Sequence, residues 1–465
     1  MTTAVDPTRA QKVLRYRWVC LCALWLVYFF VYFDRVAPAV VAPEMMREFG
    51  ITASAMGLLS AAYFYPYAAM QIPSGILSDF LGPRMAVTIF FIIAGIGTAM
   101  FGFASTYDVA ILGRVCMGIG VAVVYIPIMK IQAQWFRPRE FATLTGILLT
   151  VGNVGALGAA APLALFVGIA GWRETFFWLG GVSVLLAIMV FIFVRNRPQD
   201  MGLPTLNEVD GIVVDEATQA ADDALTFKEI LKMAFTNWNF WWLAVYAFAV
   251  YGPMMGFQGL WAIPYMQDVM GFTKQQASNV VSFWAIGMIV GCPLSGLLSD
   301  RIMKARKLTT IIGASIYVLG WVVIYLYPSG WSQTGLSLFC FLMGGFGGFY
   351  IINYPHVSEN LPRKAVGTAI GVFNMWYFVG GALYQQFMGK ILDSTGRSPI
   401  VRDGVSILDA SGNPLMGFPA EAYANTFLLC LIGMIFGLAA LFFTRETYGT
   451  APGGPTNILG REMKK

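Results

Sequence analysis

The chain has 465 residues, of which 57% are hydrophobic and only 12% are charged, and its formal net charge at pH 7 is +5. Soluble domains carry about 25% charged residues, so this composition excludes a soluble globular protein of the same length. Most of the apolar side chains must face lipid instead, which predicts a bundle of membrane-spanning helices.

Twelve apolar runs are long enough to cross a bilayer as helices of about 20 residues. They lie near residues 17–41, 54–77, 85–104, 108–133, 141–168, 174–194, 239–266, 277–298, 309–327, 335–354, 366–389 and 422–443. A polar, acid-rich segment separates the first six runs from the last six. The pattern predicts an all-α membrane protein with six-helix bundles at 1–194 and 239–465, joined by a cytoplasmic loop at 195–238.

The lysines and arginines are unevenly placed between the two sides of the predicted bundle. Most of the 30 fall in cytoplasmic segments if the N-terminus is cytoplasmic. This positive-inside bias predicts that both ends of the chain lie in the cytoplasm. We therefore expect a multi-pass, monomeric protein of the cytoplasmic (inner) membrane, with the lipid bilayer as its surroundings.

A short motif occurs once in each half, at the cytoplasmic end of the second helix. The two copies are Gly75-Ile-Leu-Ser-Asp79-Phe-Leu-Gly82-Pro-Arg84 and Gly296-Leu-Leu-Ser-Asp300-Arg301-Ile-Met-Lys304. With the twelve spans, this repeat resembles the major facilitator superfamily, although Phe80 replaces a basic residue and the second copy lacks its second glycine. The resemblance implies a transporter fold with two pseudo-symmetric bundles, in which these residues close the cytoplasmic side in one state. A charged turn without a gating role is the alternative.

Four charged side chains stand inside the apolar runs, where each costs at least about 2.5–3.5 kcal/mol to insert. They are Asp34 and Arg35 in the first run and Arg114 and Lys130 in the fourth. Three cations against one acid predict an anion site, because guanidinium groups bind carboxylates and phosphates bidentately. We expect Asp34 to pair with Arg114 or Arg35, which leaves one guanidinium for the substrate. An ion-pair network that only fastens the helices is the alternative.

Lys130 lies near the cytoplasmic end of its run and has two possible roles. Its ammonium can snorkel to the interface without a function. It can also serve as a cytoplasmic-side ligand for the substrate or as a partner of the gate.

Aromatic and amide side chains at helical spacing complete the candidate substrate site. Tyrosine and tryptophan offer apolar walls with a polar tip, which suits a ligand cavity, although packing alone is the alternative for each. The candidates are Tyr28, Tyr32, Tyr63, Tyr67, Tyr125, Gln258, Trp261, Asn374 and Tyr377.

The sequences around two of the buried arginines are similar to the anion:cation symporter family within the superfamily. They read Tyr32-Phe33-Asp34-Arg35 in the first run and Arg114-Val-Cys-Met-Gly118 in the fourth. The resemblance implies transport of a small organic anion. Asp34 is the candidate proton carrier, because helix movement can change its burial and its distance from an arginine. The family has a glutamate where this chain has Val121, so proton symport, exchange and uniport all stay open.

The function predicted from these observations is transport of a small, carboxylate-like anion by alternating access, driven by a proton or other ion gradient without a cofactor. Amino acids or other zwitterions and metal chelates such as siderophores are alternative substrates. A non-transporting membrane sensor would need a signalling domain, which the sequence does not suggest. Catalytic residues, a metal site and a nucleic-acid partner are not expected, because no Ser-His-Asp set, metal-ligand cluster or nucleotide loop occurs.

Overall fold

The computed structural model describes residues 6–210, 227–359, 361, 363–402, 405–407 and 414–448, and it is built almost entirely from helices. The first half contains α1 (Pro7–Val36), α2 (Pro38–Glu48), α3 (Ala53–Ala69), α4 (Gln71–Phe80), α5 (Pro83–Gly102), α6 (Tyr107–Ala122), α7 (Tyr125–Trp135), α8 (Pro138–Gly158), α9 (Ala161–Ala170) and α10 (Trp172–Phe193). The connecting loop contains α11 (Leu206–Asp210) and α12 (Phe227–Thr236). The second half contains α13 (Trp238–Gly256), α14 (Ala262–Asp268), α15 (Lys274–Leu297), α16 (Arg306–Leu326), α17 (Gln333–Gly347), α18 (Asn353–Ser358), α19 (Arg363–Thr395) and α20 (Ala420–Phe442).

The predicted twelve-helix architecture is confirmed. Ten segments of the described chain are long and apolar enough to cross a membrane. The other two spans are the interrupted pair α3 and α4 and the long helix α19. Of the loop predicted at 195–238, residues 211–226 lie outside the described residues, so the domain boundaries stay a prediction.

Short irregular segments interrupt several spans. A π-helical turn, Phe257–Trp261, joins α13 to α14, and another, Leu298–Ile302, ends the span of α15. A 3₁₀ turn, Gly348–Ile352, joins α17 to α18. Irregular backbone at membrane depth is tolerated where protein or a water-filled cavity surrounds it.

Matching local signals start equivalent helices in the two halves. The Thr52 hydroxyl accepts a hydrogen bond from the Ala55 amide (3.2 Å) at the start of α3. The Thr273 hydroxyl accepts one from the Gln276 amide (3.2 Å) at the start of α15. Such caps satisfy amides that have no partner inside the helix. The second span of each half therefore begins at a defined residue on the outer side.

The first copy of the repeated motif packs within its own half. Gly82 has φ +76° and separates α4 from α5, a conformation that favours glycine. The Arg84 guanidinium donates to the Phe191 carbonyl of α10 (Nε to O, 2.8 Å) and stacks on the ring of Phe191. Gly75 lines the central cavity. The side chain of Asp79 lies outside the described residues, so its gating role stays a prediction.

The second copy also pairs within its half. Asp300 forms an ion pair with Arg306, whose guanidinium also binds Glu359 (Nη2 to Oε1, 2.7 Å). Arg301 is exposed, and a Cβ added at Gly296 would meet nothing within 4 Å. Lys304 has φ +47° and makes the turn for which the first copy uses Gly82. Neither copy therefore bridges the two halves through the residues described, and the gating prediction stays open.

The outer connection between α19 and α20 forms two small antiparallel strand pairs. β1 (Ser398–Pro399) pairs with β4 (Met416–Gly417), and β2 (Val401–Arg402) pairs with β3 (Val405–Ser406). The Arg397 guanidinium stacks over the Phe418 ring (5.1 Å to the centroid) and contacts Met46 of the first half. This connection therefore covers part of the outer surface where the halves meet.

Polar contacts hold the two halves together on the outer side. The Asp393 carboxylate at the end of α19 accepts hydrogen bonds from the amides of Ala53 (2.8 Å) and Ser54 (2.6 Å), which begin α3. A carboxylate at a helix N-terminus satisfies free amides and interacts favourably with the helix dipole. Glu44 on α2 also forms an ion pair with Lys274 at the start of α15. These contacts close the bundle on this side.

Helix α2 is held in position by a second ion pair within the first half. Glu48 binds Arg173, and it also accepts a hydrogen bond from the Trp172 indole (2.8 Å). Burial alone would raise the pKa of Glu48, but these hydrogen bonds outweigh it and keep that pKa below its usual value. The short helix thus presents Glu44 to Lys274 of the opposite half.

Candidate functional site

A central cavity of about 790 Å³ lies between the halves. Its wall includes Gly75 and Ile76 in the middle of α4, and Lys130 and Ala133 on α7, all toward the lysine- and arginine-rich side. Because the opposite side is closed by the contacts above, the cavity opens toward the predicted cytoplasm. Among the residues that the structure describes, eight tyrosines line it: Tyr28, Tyr32, Tyr67, Tyr125, Tyr251, Tyr350, Tyr354 and Tyr377.

Arg35 is the charged side chain at the closed end of the cavity. Its Nη1 donates a hydrogen bond to the Tyr251 hydroxyl (3.0 Å), and its Nε has no partner in the described chain. The guanidinium lies over the rings of Tyr32 (4.3 Å) and Phe378 (4.9 Å). The structure describes no ion pair to Arg35. A buried guanidinium held by rings and one neutral hydroxyl retains its capacity to bind an anion.

Arg114 lies behind the cavity wall, contrary to its predicted place in the substrate site. Its Nη1 donates to the main-chain oxygen of Asp34 (2.9 Å) and its Nη2 to that of Ser60 (3.3 Å). The guanidinium covers the ring of Tyr63 (4.7 Å), whose hydroxyl donates to the Val31 carbonyl (3.1 Å). Arg114 and Tyr63 thus connect α1, α3 and α6 rather than line the cavity.

The predicted ion pair of Asp34 is also absent from the described contacts. Asp34 is 1% exposed, and neither carboxylate oxygen has a hydrogen-bond partner among the described residues. Arg114 binds the main chain of Asp34 instead of its carboxylate. A carboxylate without partners is very costly to bury in its ionised form.

Lys130 lies in the cavity wall, toward the mouth. Its ammonium donates to the Gly75 carbonyl (3.3 Å). The rings of Tyr28 and Tyr125 are 6.0 Å apart, which aligns the depths of α1 and α7. At 1.5 Å per helical residue, the Cα atoms of Lys130 and Arg35 are about 18 Å apart along the membrane normal. Lys130 therefore belongs to the mouth of the cavity and Arg35 to its closed end.

We expect Lys130→Met to raise KM for transport from the cytoplasmic side by about two- to fivefold, because a half-exposed charge contributes up to about 1 kcal/mol. The turnover number should change little, and 0.5 M salt should remove most of the difference by screening. Uptake kinetics in vesicles at low and high salt measure this. Lys390→Met on the outer side is the control, and an unchanged KM at low salt would indicate simple snorkelling.

The other predicted side chains divide into two groups. The first lines the cavity and consists of Tyr28, Tyr32, Tyr67, Tyr125, Asn374 and Tyr377. Gln258 and Trp261 lie instead in the π-helical turn of the seventh span and do not line the cavity. The Trp261 indole donates to the Gln385 carbonyl (3.2 Å), so it belongs to the packing within the second half.

Several cavity residues were not predicted from the sequence. They are Gln71, Tyr251, Tyr350, Tyr354 and Phe378. The Tyr354 hydroxyl donates to Asn374 Oδ1 (2.9 Å), and Asn374 Nδ2 donates to Gln71 Oε1 (3.1 Å) across the halves. Helical spacing could have suggested Gln71, which follows the predicted Tyr67 by four residues. The other contacts join distant spans.

Comparison with known proteins places the cavity in context. Residues 24–385 match the family profile of the Major Facilitator Superfamily. The chain is 28% identical over 394 residues to the probable sulfoacetate transporter of Cupriavidus necator, covering 83% of this chain and 90% of that protein. It is 27% identical over 410 residues to the probable hexose phosphate transport protein of Chlamydia trachomatis serovar D, covering 84% and 88%.

Solved structures show the same fold. A bacterial homologue of the human lysosomal transporter Spinster, solved in an inward-facing and unoccupied conformation, superposes with a TM-score of 0.68. The alignment covers 92% of this chain and 96% of that one, at 20% sequence identity.

Proposed function

The chain belongs to the major facilitator superfamily, and on this premise we propose that it moves a small organic anion across the cytoplasmic membrane by alternating access. It is a multi-pass transporter and not an enzyme. The observation that carries the proposal is Arg35, a guanidinium at the closed end of the cavity without a carboxylate partner in the described chain. An anionic group of the substrate supplies the missing negative charge.

The charge of the cavity wall favours an anion over the alternative substrates. Among the described residues that line it, Arg35 and Lys130 are basic and none is acidic. A zwitterion such as an amino acid would leave its ammonium group without a counter-charge there. The substrates for which the two relatives are named, sulfoacetate and hexose phosphate, are both small anions, which supports the same class. One chain builds the whole cavity, so the proposed unit is a monomer in the bilayer.

Transport of the proposed class can be tested with purified protein in liposomes that contain a pH-sensitive dye. Carboxylates, sulfonates, phosphate esters and amino acids are added one at a time, with protein-free vesicles as the control. We expect at least one monoanion to move by a route that Arg35→Ala removes. Movement of amino acids alone would contradict the proposal.

Proton coupling is proposed to depend on Asp34. Its buried carboxyl lacks hydrogen-bond partners among the described residues in this inward-open state, and its main chain is bound by Arg114. A shift of α1 against α6 that brings the Arg114 guanidinium to the carboxylate would favour loss of the proton. Because Val121 cannot carry a proton, Asp34 performs this task alone.

We expect Asp34→Asn to reduce anion uptake driven by a pH gradient to the level of protein-free vesicles. Asparagine cannot release a proton, but exchange of labelled for unlabelled anion needs no net proton movement and should continue. Both assays use the same vesicles, and Asp108→Asn on the outer surface is the control. Normal pH-driven uptake by Asp34→Asn would show that Asp34 does not carry the coupled proton. Exchange or uniport would then be the remaining transport modes.

A further inference from the structure

The closed end of the cavity holds one cation within reach of a small substrate. Arg35 is there, whereas the Cα atom of Lys130 is about 18 Å closer to the mouth along α1 and α7. The second half adds no basic residue to the described wall. One guanidinium balances one negative charge, so the binding site at this depth matches a monoanion better than a phosphate ester.

The wall next to Arg35 is made of aromatic rings from the second half, and the guanidinium lies over one of them, Phe378 (4.9 Å to the centroid). The ring centroids of Tyr251 and Tyr377 are 5.4 Å apart, and those of Tyr251 and Phe378 are 5.7 Å apart. Tyr350 packs against Tyr377 at 5.2 Å. These distances and tilted planes are typical of edge-to-face aromatic packing. A flat ring of the substrate can pack against these side chains in the same edge-to-face way.

Some of the polar atoms of this wall are occupied by hydrogen bonds within the protein. Tyr251 accepts from Arg35 (3.0 Å), and the Tyr377 hydroxyl bonds both Asn353 (2.9 Å) and the Tyr350 carbonyl (3.2 Å). The Tyr354 hydroxyl donates to Asn374 (2.9 Å). A polyhydroxylated substrate could use these particular atoms only by breaking their bonds, which costs free energy, whereas a ring without hydroxyls leaves them intact.

We propose that the transported substrate is an acid with one negative charge on a flat apolar ring, such as an arylcarboxylate, bound with its acid group on Arg35 and its ring against Tyr251, Tyr377 and Phe378. This inference rests on the proposed function and specifies its substrate class. A cavity of about 790 Å³ accommodates such a ring.

Five probes test the substrate class in proteoliposomes: phenylacetate, cyclohexanecarboxylate, glucuronate, sulfoacetate and glucose 6-phosphate. We expect phenylacetate to move by the Arg35-dependent route with the highest kcat/KM. If glucuronate, sulfoacetate or glucose 6-phosphate has the highest value, the ring proposal is overturned while anion transport stands. If none of the five moves by an Arg35-dependent route, both proposals fail.

A variant of the aromatic wall supplies the second test. Phe378→Leu keeps an apolar side chain but removes the ring, and an aromatic pair contributes about 0.5–1.5 kcal/mol beyond its buried area. Loss of the ring under Arg35 should raise KM for both acids, and we expect the rise for phenylacetate to be roughly fivefold larger than the rise for cyclohexanecarboxylate. Phe387→Leu, on the exposed face of the same helix, is the control. Equal changes for both probes would contradict ring recognition.

Discussion

Replacing Arg35 by lysine is expected to lower kcat/KM for anion transport by roughly 100-fold, although the positive charge is kept. Hydrogen bonds to charged groups contribute about 1.5–3 kcal/mol each. The guanidinium can bond the Tyr251 hydroxyl and still present a planar pair of donors to an acid group. A lysine ammonium is a point charge that cannot do both, and it would also lose the stacking on Tyr32 and Phe378.

The measurement is initial uptake rate against anion concentration in proteoliposomes, with thermal unfolding of the same preparation as a check on folding. Arg15→Lys, an exposed site on the same helix, is the matched control and should behave as the unmodified protein. If Arg35→Lys retains kcat/KM within about threefold, a single charge suffices and the bidentate contact is not used. A normal melting temperature with lost transport assigns the defect to binding.

The architecture and one of the two central arginines could be predicted from the sequence. Lipid-facing helices need long apolar runs, and the positive-inside bias orients them, so composition and charge are sufficient for the fold. A charge inside such a run has a high cost and therefore marks a role. The charge of Arg35 inside the first apolar run predicts such a role, and in the structure Arg35 lies at the closed end of the cavity.

The different position of Arg114 could not be predicted from its own helix. The free-energy cost of burying the Arg114 guanidinium is offset by hydrogen bonds to two main-chain carbonyls, those of Asp34 and Ser60, on two other helices. Main-chain oxygens are present at every position, so no residue pattern marks them as partners. The predicted ion pair with the Asp34 carboxylate considered only side-chain charges. In the structure, main-chain carbonyl oxygens accept the hydrogen bonds of Arg114 instead.

The seventh span shows a second limit, which concerns helical periodicity. Gln258 and Trp261 were assigned to one face by assuming α-helical spacing, but they lie in the π-helical turn Phe257–Trp261. A π turn adds a residue to the helical turn and rotates the faces that follow it. Residues before the turn, such as Tyr251, reach the cavity, whereas Trp261 points to the Gln385 carbonyl.

The second large expected effect concerns the contact that closes the outer side. Gly57 on α3 faces the main chain of α19 so closely that a Cβ would lie 2.5 Å from the Gln385 carbonyl oxygen. Gly389 on α19 faces Ala53 in the same way, with 2.4 Å to its carbonyl oxygen. Both obstacles are backbone atoms, which cannot rotate away as a side chain can. Only glycine at these positions lets the halves meet.

We expect Gly57→Ala to shift the protein from the inward-open toward the outward-open state and to reduce the turnover number by tenfold or more. Overpacking costs about 1–3 kcal/mol, and this cost applies only to the state in which α3 and α19 touch. Since every 1.4 kcal/mol changes a two-state ratio about tenfold, the closed outer side would lose much of its population. Alanine otherwise favours a helix, so the fold itself should not weaken.

Distances between spin labels at Phe103 and Tyr327, exposed residues on the outer side of opposite halves, measure the shift in a cysteine-free background. The expected result is a longer distance in Gly57→Ala than in Gly146→Ala, a control in which the added methyl group meets nothing within 4 Å. The same labels on Asp393→Asn test the polar part of the closure, since an amide can accept only one of the two bonds from Ala53 and Ser54. If Gly57→Ala leaves both distance and turnover unchanged, the helices separate by more than a methyl group at little cost, and closure must depend on Asp393 and the Glu44–Lys274 ion pair.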